Sequence, residues 1–79
     1  MTEPTNLDRA SWAYAAVLAF CAQARPDGQH RLYDPLKDVL PDLLCDLMHL
    51  ADQKGLTDFD DLVRRARYHF DAEIEEGEP

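Results

Sequence analysis

From Val39 to Lys54 apolar and polar positions recur with a helical period. Leu40, Leu43, Leu44, Leu47, Met48, Leu50 and Ala51 fall on one face, and Asp42, Asp46, His49 and Gln53 on the other. This predicts an amphipathic helix over residues 39–54, closed by Gly55 as a left-handed cap with Leu56 packing back on the last turn. Thr57, with Asp60 three residues on, predicts the start of another helix, and Asp58 and Asp61 suit the positive end of its dipole. Phe59, Leu62, Val63, Ala66, Phe70 and Ile74 form its buried stripe, so this helix is predicted over residues 57–75.

Upstream, Thr5 and Asp8 have the spacing of a capping box, in which hydroxyl and carboxylate satisfy each other's backbone amides. The helix they open is predicted to run over residues 5–25, up to the turn signal Pro26-Asp27-Gly28. Leu7, Ala10, Tyr14, Val17, Leu18 and Cys21 make one face, and Trp12, Ala13, Ala16, Ala19 and Phe20 make a second apolar strip. A helix that is apolar on two sides has to be covered on both. Either the other two helices do so, or a second copy does. With only three helices available, the sequence favours a homodimer joined through Trp12, Ala16 and Phe20.

Between these helices, residues 26–34 form a loop carrying His30, Arg31 and Tyr33 just after Arg25. Asp34-Pro35 reads as an N-cap followed by a proline in the first turn, where its missing amide is harmless. Pro41 complicates this start, because inside a helix its ring meets the preceding turn. Two readings follow: a short helical turn over 35–38 ahead of a helix capped by Asp38, which is preferred, or one helix kinked near Pro41. The predicted fold class is therefore all-α, with three main helices and a short turn, dimerising into a helical bundle. Residues 5–75 make the domain, with residues 1–4 and 76–79 as flexible ends.

Size and charge sharpen this picture. A chain of 79 residues holds one domain with a marginal core, which raises the expectation of self-association. Sixteen acidic against eight basic residues give a net charge of -8, which disfavours direct nucleic-acid or anionic-membrane binding and favours basic partners. The first residues have no basic stretch leading into an apolar run, so a cytoplasmic protein is expected. Cys21 and Cys45 lack metal-site spacing and read as packing thiols in a reducing compartment, with a helix-to-helix disulfide as the alternative.

Four constellations carry candidate chemistry. Asp42, Asp46 and His49 lie within about one turn and resemble part of a metal site, but three ligands without a fourth are ordinary on a solvated face. Asp38, Asp42 and Asp46 recur every four residues, roughly 6 Å apart along a helix axis, and such a row can imitate a phosphate backbone. Arg64, Arg65 and Arg67 beside Tyr68 suggest a phosphate or base contact, but Asp60, Asp61 and Asp71 are placed to neutralise them. Cys45 has His49 four residues on, a thiol and base on one face, yet a buried cysteine is the commoner meaning of that pattern. No catalytic residue, metal ligand or cofactor is assigned.

The stretch from Asp42 to Leu56, D-L-L-C-D-L-M-H-L-A-D-Q-K-G-L, with the following Phe59 to His69, resembles the second half of the MazG-type all-α nucleotide pyrophosphohydrolases. Those enzymes hold magnesium with an E-E-x-x-E run and a later E-x-x-D. Asp42 matches the last position, but Val39 stands where the glutamate belongs, and the first helix has no E-E-x-x-E. The resemblance implies a helical hairpin without retained catalysis. A closer likeness is to small helical proteins of phages, plasmids and integrating elements, which share the D-L-L-x-D-L-M-H core followed by R-A-R-x-H-F. The expected function is a non-enzymatic, acidic interaction module. It would be a mobile-element inhibitor that masks a basic surface of a host nucleic-acid-binding protein through Asp38, Asp42, Asp46 and the acidic tail, with His49 beside them. The alternative is a degenerate MazG-like protein that binds nucleotide or metal.

Overall fold

A computed structural model describes residues 3–24 and 34–76. These residues form three helices, α1 (Asn6–Ala24), α2 (Leu36–Gln53) and α3 (Phe59–Glu75), and no strand is present among them. The all-α reading with three main helices holds. The predicted loop features at Pro26-Asp27-Gly28, His30, Arg31 and Tyr33 lie outside the described residues, as does Arg25.

Local chemistry explains the start of α1, both ends of α2 and the start of α3. At α1 the Thr5 hydroxyl accepts from the Asp8 amide at 3.1 Å, and the Asp8 carboxylate accepts from the Thr5 amide at 3.0 Å, so the capping box closes as read. At the end of α2 the Leu56 amide donates to the Ala51 carbonyl at 2.9 Å and the Gly55 amide to Asp52 at 3.2 Å, a reciprocal pair that requires the φ of +79° found at Gly55. A Cβ added at Gly55 would meet nothing within 4 Å, so Gly55→Ala tests backbone strain alone. It is expected to lose about 1 kcal/mol in denaturant titrations, and an unchanged midpoint would contradict this.

Two boundaries differ from the sequence reading. Residues 35–38 are not a separate turn but the first turn of α2, since the Asp38 and Val39 amides both donate to the Pro35 carbonyl. Pro35, with ψ 141°, is therefore the N-cap rather than a helical residue, and Asp38 sits inside the helix. Pro41 is accommodated within α2, where it forgoes the one bond that an amide there would give to the Lys37 carbonyl. At α3 the cap is Asp58, not Thr57: its carboxylate accepts from the Asp61 amide at 3.0 Å. A carboxylate there answers both the free amide and the positive dipole end, whereas a hydroxyl answers only the first.

Packing between helices is sparse. Val17 and Cys21 of α1 bury against Val39 of α2, with Phe20 and Leu43 half-buried around them. Val39 is 1% exposed and Cys21 2% exposed. Beyond this crossing α2 leaves α1 behind, and Leu44, Leu47, Met48 and Leu50 stay exposed. Ala51 is buried near the α2–α3 turn. The last turn of α3 then returns to the first turn of α1. There Arg9 pairs with Glu73 at 3.2 Å, and the Asn6 side-chain carboxamide donates to the Glu73 backbone carbonyl at 3.1 Å. The chain therefore folds as three helices touching near their ends. Their apolar faces are covered at those junctions and open between them.

Candidate functional site

The apolar arc of α2 divides in two. Its Val39 and Leu43 edge rests on α1, while the edge bearing Leu40, Leu44 and Leu47 is exposed. On the opposite side of the same helix Asp38, Asp42, Cys45, Asp46 and His49 are all exposed. A four-residue repeat on an α-helix keeps the three aspartates on one side, about 6 Å apart along the axis. One helix thus presents a row of carboxylates to one side and a leucine edge to the other.

No group of three or more His, Cys, Asp or Glu side chains converges to hold a metal ion among the described residues. Asp42, Asp46 and His49 therefore form a row rather than a cage. Cys21 and Cys45 are both thiols, but their settings differ: Cys21 is buried in the α1–α2 core and Cys45 is exposed. The packing reading is correct for Cys21 and is corrected for Cys45, which falls opposite the leucines on the helical wheel.

The arginines of α3 are drawn into ion pairs with their own helix. Arg64 lies 2.6 Å and Arg65 3.5 Å from Asp61, and Arg67 lies 3.8 Å from Asp71. The Arg67 guanidinium also stands 5.5 Å from the centre of the Phe70 ring, covering part of it. Tyr68 points away from the stripe, 75% exposed, with its ring edge-on to His69. Asp61 and Asp71, as the sequence suggested, neutralise this group.

The three residues read as a self-association strip are not equivalent. Trp12, 61% exposed, and Ala16 face solvent, whereas Phe20 turns toward the Val17, Cys21 and Val39 cluster. Phe20 lies on the border between the two strips, and α2 claims it. On α3, by contrast, Val63, Phe70 and Ile74 are each about half exposed, and Val63, Ala66, Arg67 and Phe70 line a shallow open groove. The sequence showed this stripe clearly but assigned it to the interior. Sequence reasoning also missed the Asn6, Arg9 and Glu73 clasp, because no local pattern links residues 67 positions apart.

No helix among the described residues is long and apolar enough to cross a membrane. Comparison with protein-family models, curated proteins and solved structures finds no match to this chain.

Proposed function

We propose that the protein is a non-enzymatic interaction module whose acidic α2 face occupies a basic surface of a partner protein, in the manner of an inhibitor that covers a nucleic-acid-binding site. The observation that carries this reading is the exposed row of Asp38, Asp42 and Asp46, on the side of the helix that also bears Cys45, His49 and Gln53. Like charges one turn apart cost a helix a few tenths of a kcal/mol each, so the row weakens α2 slightly, and a partner's lysines and arginines would turn that repulsion into attraction. The net charge of -8 extends the same field and steers basic proteins toward the chain. The likeness to small proteins of mobile elements fits a role in masking a host protein.

The test compares the full chain with an Asp38→Asn, Asp42→Asn, Asp46→Asn variant as bait, at low and high salt. The wild type is expected to retain a basic protein at low ionic strength and release it as salt rises, whereas the variant loses at least about tenfold in affinity while keeping its helical signal. Capture that is indifferent to both salt and the three substitutions would remove the acidic-face mechanism. A magnesium titration by calorimetry addresses the MazG-like alternative, because metal binding that disappears in the same variant would favour it.

A further inference from the structure

We propose that the open stripe of α3 is the two-fold interface of a homodimer, in which α3 packs antiparallel on α3 of a second copy with Ala66 at the crossing point. The starting observation is how little the chain buries by itself. Val17, Cys21, Val39 and Ala51 are the buried apolar residues among those described, while fifteen large apolar side chains are exposed. A domain of this length buries only about 60% of its unfolded surface and is marginal even so, and apolar surface left open on this scale favours a cover. A second copy is the one occupant supplied in equal number with the chain.

The stripe is also built to receive itself. An isologous interface places each residue against its mirror position across the two-fold axis. Ala66 is the small residue at the centre of the stripe, Val63 and Phe70 lie three and four positions to either side, and Phe59 and Ile74 seven and eight. In an antiparallel pair centred on Ala66, each Val63 meets the partner's Phe70 and each Phe59 the partner's Ile74. The shortest side chain stands where the two backbones come closest. The groove at Val63, Ala66, Arg67 and Phe70 is this position, with Arg67 lying along its rim.

Area and charge agree with this occupant. The half-exposed side chains of the stripe and of the Leu40, Leu44 and Leu47 edge offer on the order of 600 Å² per chain, or about 1,200 Å² for two chains, the lower end of the range for specific interfaces. The stripe supplies its centre and the leucine edge of α2 the remainder. Two chains of charge -8 repel each other, but Asp38, Asp42 and Asp46 lie on the far side of α2 from that edge and stay out of the contact. Dimerisation should therefore strengthen as salt screens the repulsion, opposite to the behaviour of the acidic-face complex, so the two proposals fail separately.

The experiment is sedimentation velocity on the purified full chain, paired with cysteine cross-linking in a Cys45→Ser background. The wild type is expected to sediment at about twice the 9.0 kDa of one chain. Ala66→Cys should form a disulfide-linked dimer under mild oxidation because its counterpart lies within bonding reach, and Tyr68→Cys, on the other side of α3, should not. Phe70→Glu is expected to weaken the dimer at least about 100-fold. Should that variant fail to fold, Ala66→Leu serves instead: it costs an exposed helix little, yet its bulk at the crossing shifts the chain toward monomer. A wild type that stays monomeric at tens of micromolar, leaving the stripe to a foreign protein, would overturn the proposal. So would linkage through position 68 in place of 66.

Discussion

Val39→Asp is expected to abolish the folded state. Val39 is the most deeply buried side chain of the α1–α2 junction, enclosed by Val17 and Cys21. A carboxylate there has no cation of α1 or α2 within this cluster to meet it, and an unpaired buried charge costs more than about 3 kcal/mol. Since the junction holds most of the buried apolar residues, nothing else in the chain compensates. Circular dichroism is expected to show loss of most helical signal at room temperature. Cys45→Asp, six residues on but exposed, should lie within about 0.5 kcal/mol of wild type. A cooperative thermal transition for Val39→Asp close to that of the wild type would show that this junction does not hold the fold.

Pro41→Ala acts in the other direction. Pro41 lies inside α2 and has no amide to donate to the carbonyl four residues earlier, that of Lys37. Alanine restores the bond and relieves the ring's crowding of the preceding turn. Against this, the unfolded chain gains freedom worth about 0.4–1 kcal/mol. Because a proline in a helix interior is about 3 kcal/mol worse than alanine, the net expectation is a stabilisation of about 1–2 kcal/mol. For a domain of this length that raises the thermal midpoint by several degrees. A fall in the midpoint would mean that the proline shapes the approach of α2 to α1 in a way that the backbone bonds do not reveal.

Helix identity was legible because each signal acts over four residues or fewer. The Thr5 and Asp8 box, the Gly55 stop and the apolar spacings all operate within one turn, and all appear where they were expected. The misplaced boundaries have equally local causes. Thr57 and Asp58 both suit a cap, and the electrostatic advantage of the carboxylate decides between them. At Pro41 the sequence reading overweighted the ring clash: the helix runs through it at the cost of one backbone bond. For the candidate site, the exposure of Asp38, Asp42, Asp46 and His49 was legible from helical phase alone.

Which apolar face meets which could not be read. The stripes of α2 and α3 look the same in sequence whether they are buried within the chain or left open, because periodicity records that a face needs cover and not what covers it. Phe20 passed from the outer strip to the core for this reason.

The acidic end of α3 makes the same point. Its own last turn holds no cation to answer the negative dipole end, yet Arg9 and Asn6 of α1 arrive from the far end of the chain to meet Glu73. By itself the sequence determined three helices, the capping box of α1 and the glycine stop of α2, their acidic and apolar sides, and the shortage of core. The tertiary structure alone decided that the helices touch at their ends and stay apart between them. The physical reason is one of range: helix formation is settled by neighbours along the chain, whereas contact is settled by groups that only folding brings together.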